Sequence, residues 1–362
     1  MDNFDRNVWC LLGLPFDAVD LETTVYKVHK AAKNKTPLFI STPNLNFLIA
    51  SQKDEKFRNS VINSNISIAD GKPIIWLARL LNIPLPERVA GSDLIESLIE
   101  NKKGYKPLKV FFFGGEEGVA HQACEKLNSE NKGLQCVGFF NPGFGSVEDM
   151  SSSEIIDKIN QSNADFVIVS LGANKGQAWI ECNKDKLNSP IISHLGAVVN
   201  FIAGNVKRAP KIIQRLGFEW VWRIKEEPVL FIRYFKDGIA FTRLFVFKIL
   251  PLYLLYKNTN NKETADNIIL QVTDDKDIFE KSIIHLNNDS ELNNFFRKIL
   301  ISNKSITMNI ESKGCINSNL LGKIILLKKE LKVINSSLIV KVSPRTSEKF
   351  FHSYCCEDLL IR

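Results

Sequence analysis

Little in this chain points to disulfides, metal or secretion. Its seven cysteines (Cys10, Cys124, Cys136, Cys182, Cys315, Cys355 and Cys356) are odd in number and scattered, with no C-x-x-C. That usage fits thiols in a reducing compartment better than a disulfide framework or a zinc site. The five histidines, His29, His121, His194, His285 and His352, show no ligand spacing. No Asp-x-Asp precedes Asp275-Lys276-Asp277 near the C-terminus. The start, Met1-Asp2-Asn3-Phe4-Asp5, lacks a basic stretch and a long apolar core, so it does not read as a signal peptide. G-x-G-x-x-G is missing, which disfavours an NAD enzyme. Repeats of solenoid period are missing as well.

What is present is a folded chain of ordinary make-up. Hydrophobic residues are 44% and charged residues 24%, which excludes both disorder and a multi-span membrane protein. At 362 residues there is room for two domains of about 100–200 residues each. From about residue 38 to 195, short β-rich runs (38–41, 110–113, 166–171, 191–194) alternate with segments of helical period (92–100, 120–129, 155–161). Such alternation predicts an α/β fold, a Rossmann-like mainly parallel sheet with flanking helices and ligands at the carboxyl ends of its strands. Two glycine-bearing turns follow strands, at Gly114-Gly115 and at Gly172, and each leads into a helix. Backbone N–H groups there can approach a diphosphate; a tight strand-to-helix turn explains them equally.

The charge is uneven. Residues 205–257 hold eleven basic and four acidic side chains, so this segment carries the whole excess of +7. Eleven aromatics lie among them, including Trp220, Trp222, Phe231, Phe235 and Phe247. Basic residues mixed with aromatics suit an anionic membrane surface or nucleic acid. No helix-turn-helix, RRM or zinc module accompanies them, so nucleic acid ranks last. The apolar run 244–255 contains Lys248 and Pro251 and is too short to span a bilayer, so an interfacial helix is expected. Residues 258–267 read as a polar linker, and 268–362 as a second, smaller α/β unit.

Several motifs, in order, resemble the WecG/TagA/CpsF glycosyltransferases: Thr42-Pro43-Asn44, Ala69-Asp70-Gly71 with Trp76, and Arg88-Val89-Ala90-Gly91-Ser92-Asp93. They continue with Gly114-Gly115, Gly172…Lys175…Trp179, Gly204-Asn205-Val206-Lys207-Arg208-Ala209-Pro210 and Leu216-Gly217-Phe218-Glu219-Trp220. The resemblance covers residues 8–251 and implies an inverting transferase. Its donor would be a UDP-hexose or UDP-N-acetylhexosamine, commonly N-acetylmannosamine, and no further cofactor or metal would be required. Its acceptor would be a sugar on a polyprenyl diphosphate, and its place the inner face of the plasma membrane, held peripherally from the cytoplasm.

Inversion needs a base beside the acceptor hydroxyl and positive charge or N–H dipoles around the leaving UDP. Asp70 matches the family's base, with Thr42 beside it as a second catalytic candidate; an Asp-Gly turn and a helix cap are the plainer roles of these two. Asn44, Asn46, Arg88, Gly114, Gly115, Gly172, Lys175, Gln177 and Asn200 are expected to line the donor and acceptor sites. Lys207, Arg208 and Arg215 are expected on the diphosphates. The family pattern Pro-Lys-Gln-Glu is here Asn174-Lys175-Gly176-Gln177. That departure leaves a second reading open, a regulatory protein that binds sugar nucleotide without turnover. The order of elements in 268–362 resembles a STAS domain, strand and helix alternating three times. Its Asp-Ser-Ser-Gly-Leu-Gly appears as Asn317-Ser318-Asn319-Leu320-Leu321-Gly322. Ser318 matches the family's phosphorylated serine, or it is a plain helix cap. The unit is expected to dock a protein partner or to self-associate.

Overall fold

The computed structural model describes residues 3–259, 267–274, 277–285, 289–302, 304–312, 316–343 and 345–360. An antiparallel hairpin opens the chain, β1 (Val8–Leu11) and β2 (Leu14–Asp17). Six parallel strands follow: β3 (Leu38–Ser41), β4 (Ile66–Ser67), β5 (Leu108–Gly114), β6 (Leu134–Phe140), β7 (Phe166–Ser170) and β8 (Ile191–His194). Their spatial order is β4-β3-β8-β7-β5-β6. This is the expected doubly wound sheet. In β5 the side chains alternate as strand geometry requires. Val110 and Phe112 face one helical layer with Leu94, Ala123 and Val199, while Phe111 and Phe113 face the other with Trp179 and Ile180. Trp179 stacks on Phe113 at 4.1 Å and donates to the Met150 carbonyl at 2.8 Å, so this family tryptophan belongs to the core.

The expectation of unpaired thiols fails for one pair. Cys124, on the helix Val119–Glu130, and Cys136, on β6, form a disulfide, because that helix packs on the strand it precedes with Cα atoms 5.1 Å apart.

The basic segment is longer and more continuous than the run 244–255 suggested. Leu230–Leu244, one π turn at Phe245–Ile249 and Leu250–Thr259 make one helical rod. Pro251 lacks the N–H that a regular turn would use, and the π turn just before it re-spaces the ladder. Residues 230–257 are long enough, and contain an 18-residue window apolar enough (mean hydropathy 1.7), to cross a membrane by length and composition. One face is nevertheless taken by protein: Ile249 and Leu252 are fully buried, and Lys248 pairs with Glu357 at 2.7 Å.

Beyond it lie β9 (Asn267–Asp274), β10 (Asp277–His285), β11 (Ile306–Glu311) and β12 (Leu338–Ser343), in the order β10-β9-β11-β12. The sequence pattern missed one strand of the hairpin β9–β10, whose partners are antiparallel. Most of the expected linker (260–266), Asp275, Lys276 and the turn residues Gly314 and Cys315 fall outside the described residues.

No break in the core separates this sheet from the rest. One apolar cluster joins Phe4, Leu11 and Phe16 of the first hairpin, Phe47 and Ile74 below β3 and β4, and Leu320, Ile324 and Phe351 of the C-terminal unit. The helix Ser318–Val333 lies against β1. Its cap is Asn317, which accepts from the Leu320 N–H at 2.8 Å. Ser318 is therefore not the cap: it is buried, and its hydroxyl donates to the Cys10 carbonyl at 2.6 Å. A phosphoryl group has no room there while the helix is docked. Lys323 is buried too and donates to the Phe4 and Arg6 carbonyls and to Asn293, at 2.6, 2.7 and 2.8 Å.

Close packing here reverses a usual preference. Glycine inside a helix costs about 1 kcal/mol relative to alanine. At Gly322, however, an added Cβ would stand 2.9 Å from the Val8 carbonyl oxygen. Gly238, in the rod, has nothing within 4 Å. Gly238→Ala should therefore raise stability by about 0.5–1 kcal/mol, and Gly322→Ala should lower it by about 1–3 kcal/mol. Urea denaturation midpoints check both; a stabilised Gly322→Ala would show that the helix does not press on β1.

Candidate active site

The carboxyl ends of β3 and β4 are stitched together by backbone bonds. Ile68 donates to the Ser41 carbonyl at 2.9 Å, Asp70 to Pro43 at 3.1 Å, and Val89 to Ala69 at 2.9 Å. Asp70 is thus fixed between the loop after β3 and the Arg88–Gly91 stretch. Gly71 follows at φ +96°, a conformation that favours glycine, and opens the helix Lys72–Leu80. Asp70 is half-buried, and loss of hydration pushes its pKa up to about 7. Arg88 and Arg223 pull it down, while Glu219 and Asp93 push it up. A carboxyl held there can pass between acid and base near neutrality.

Thr42 is buried beside Asp70's loop and does not cap the next helix. That role falls to Asn44, whose side chain accepts from the Phe47 N–H at 3.1 Å. Asn46, two residues on, donates to both carboxylate oxygens of Asp237, at 3.3 and 3.1 Å. The rod is thereby tied to the rim of the site.

Of the cations expected on diphosphates, Arg208 joins Arg88 in an ion-pair network. Arg88 pairs with Asp93 at 2.6 Å and with Glu219 at 2.8 Å. Arg208 pairs with Asp93 at 2.6 Å and with Glu96 at 2.5 Å. Each bond runs between the core and the 205–257 segment or inside the Arg88–Glu96 stretch, so the segment is clamped over the site. Lys207 is exposed, and its carbonyl accepts from the Trp222 indole at 3.0 Å. Arg215 is on the helix Lys211–Leu216, and its side chain lies outside the described residues. Asn200 is half-buried on Val198–Ala203, and its carbonyl accepts from the Gly204 and Asn205 N–H groups at the start of the segment. Sequence reasoning gave no special place to Arg223, yet it lies within electrostatic reach of Asp70, and its buried Nε has no partner among the described residues. Only the fold could single it out from eleven basic residues.

The glycine turns meet at the ends of β5 and β7. A Cβ on Gly114 (φ +88°) would lie 2.8 Å from the Ser170 carbonyl oxygen, and Gly115 donates to that oxygen at 2.8 Å. The Ser170 hydroxyl is buried beneath them without a partner among the described residues. Gly172 opens the helix Ala173–Asn183. Lys175 donates to the Gly145 carbonyl at 2.8 Å and so pins the loop after β6. Gln177 is fully buried, and its amide donates to Ser41 at 3.3 Å, which braces the helix against β3, while its Oε1 has no partner among the described residues.

A carboxyl poised near neutrality, two glycine turns and a clamped basic segment thus share one end of the sheet. The family model for glycosyl transferases of the WecG/TagA/CpsF family matches residues 9–253. The chain belongs to this family. Relatives named N-acetylglucosaminyldiphosphoundecaprenol N-acetyl-beta-D-mannosaminyltransferase support the assignment. That of Bacillus spizizenii is 29% identical over 208 residues, 58% of this chain and 76% of the relative. That of Staphylococcus aureus is 23% identical over 215 residues, 59% of this chain and 82% of the relative. The chain is a glycosyltransferase, and its family region spans β1 to β8 and most of the rod. The sheet β9–β12 lies beyond the match.

The pKa of Asp70 gives the pH dependence its sign. Only the carboxylate accepts a proton, so kcat/KM should rise with pH through an apparent pKa of about 7 and then level off. A flat profile between about pH 5.5 and 8.5 would deny Asp70 this role.

Proposed function

We propose that this glycosyltransferase moves an N-acetylhexosamine, with N-acetylmannosamine the best fit, from UDP to a sugar on a polyprenyl diphosphate, inverting the anomeric centre. The reading serves synthesis of cell-surface polysaccharide. The observation that carries it is Asp70, a half-buried carboxyl with a pKa of about 7 where the loops after β3 and β4 meet. Its carboxylate takes the proton as the acceptor oxygen attacks the anomeric carbon and UDP departs. Charge on the departing diphosphate falls to Arg223 and Lys207, with the Ser170 hydroxyl at the glycine turns as a further donor, while Arg208 holds the segment in place through Asp93 and Glu96. The relatives' names supply the sugar and the lipid acceptor, and this chain covers 76% of the first of them.

On this reading the enzyme works at the inner face of the plasma membrane, where it would meet a lipid-linked acceptor. Phe231, Ile232, Phe235, Phe247 and Leu254 are exposed along the rod, next to exposed Arg233, Lys236 and Arg243. An apolar face flanked by cations suits anionic lipid. Ile249 and Leu252, packed on protein, support the reading that the rod lies along the surface rather than through it. The C-terminal unit is taken as a STAS-like module for docking or self-association.

Two measurements test this. Asp70→Asn keeps shape and hydrogen bonding but not basicity, and kcat should fall by about 10²–10⁴-fold with donor affinity little changed. The assay is transfer of labelled sugar from a panel of UDP-sugars to a short-chain polyprenyl-diphosphate acceptor. UDP-sugar binding with no turnover of any donor by the wild type would favour a regulatory protein instead. On the membrane side, replacing Arg233, Lys236 and Arg243 together with glutamine should remove about 1 kcal/mol each, roughly a hundredfold in binding to anionic vesicles. Unchanged cosedimentation would put the attachment elsewhere.

A further inference from the structure

The altered family motif has a partner on a neighbouring strand. Gly176 lies inside the helix Ala173–Asn183, where its backbone has no need of glycine. It is there for space. A Cβ at this position would stand 2.2 Å from Cδ2, 2.9 Å from Cγ and 3.0 Å from Nε2 of His194, at the end of β8. The imidazole thus occupies the ground that any side chain at 176 would need. In the motif that this stretch resembles, a glutamine stands at that place.

His194 is held on several sides. Its Nε2 lies 2.6 Å from the Leu171 carbonyl oxygen, its ring sits 6.2 Å from that of Phe47, and Gly196 approaches with no side chain between. Burial lowers its pKa against the opposing pull of the Leu171 carbonyl. A neutral ring bonded to a carbonyl must donate through Nε2–H. What it holds is the turn between β7 and Gly172. The same turn presses the side chain of Leu171 and the carbonyl of Ser170 against Gly114, and Ser170 receives the Gly115 N–H. Moving the Leu171 carbonyl therefore moves both glycine turns.

We propose that His194 is a positioning residue for the donor: reaching across from β8, it replaces the missing side chain at position 176 and locks the Leu171–Gly172 turn that shapes the diphosphate site. This rests on the donor reading above. The contact is made to the protein's own backbone, equally in ground and transition states. Its loss therefore acts on binding rather than on turnover.

The test uses the full chain, with UDP binding by titration calorimetry and donor KM and kcat from the transfer assay. His194→Ala should weaken UDP binding and raise donor KM by about tenfold, with kcat within about threefold of wild type. His194→Gln keeps an N–H toward Leu171 and should recover most of the loss. Gly176→Gln combined with His194→Gly returns a side chain from the helix and should bind UDP more tightly than His194→Gly alone. UDP affinity and KM unchanged within about twofold in a folded His194→Ala would overturn the proposal, as would a fall confined to kcat. If His194→Ala does not fold, His194→Phe decides, since it fills the space but cannot donate to Leu171: UDP affinity and donor KM unchanged within about twofold sink the idea. A wild type that binds no UDP would defeat the donor reading itself, whereas wild-type binding with unaffected variants defeats only the role of His194.

Discussion

Three distant parts of the chain meet on one buried ion pair. Arg6 donates to both oxygens of Asp17, at 3.0 and 2.7 Å, with both side chains almost wholly out of water. Taking two charges out of water costs several kcal/mol per ion, recovered only where the remaining donors and acceptors are filled. They are filled here. Arg6 also reaches the Ser64 carbonyl at 3.1 Å, and Asp17 accepts from the Ser67 N–H at 2.7 Å. The Arg6 carbonyl receives Lys323. The first hairpin is thereby bolted to β4 on one side and to the C-terminal unit on the other. Asp70 stands three residues beyond Ser67, so its position depends on this joint.

Seen from that joint, the C-terminal unit is part of the scaffold. Its central helix is buried on nearly every side, and Gly322 allows it to touch β1. Arg58 pairs with Asp358 at 2.9 Å, and Cys10 and Cys356 bring their sulfurs within 3.5 Å. The face that carries Ser318 is already occupied by β1. The rod closes the same assembly from another direction, with Asp237 on Asn46 at one end and the Tyr256 hydroxyl on Tyr354 at the other. Between these ties Ile249 and Leu252 are buried, while Leu230–Leu244 buries no residue.

The sequence by itself determined whatever depends on neighbours along the chain. Strand and helix periods, the glycine turns after β5 and β7, the Asp70-Gly71 loop and the concentration of charge in 205–257 are all short-range features, and each was legible before any coordinates. Only the tertiary structure decided which of these groups meet. Ser318 bonds a carbonyl 308 positions away, Arg208 spans 115 positions to Asp93, and Gly176 makes way for a histidine from the next strand. The first hairpin, β10 and the role of Gln177 were hidden for the same reason. A local pattern reports burial and turn geometry, but the partner of a buried group is chosen by chain segments that no periodicity links. The pKa of Asp70 belongs with these, since it is set by burial and by Arg88, Glu219, Asp93 and Arg223 folded around it.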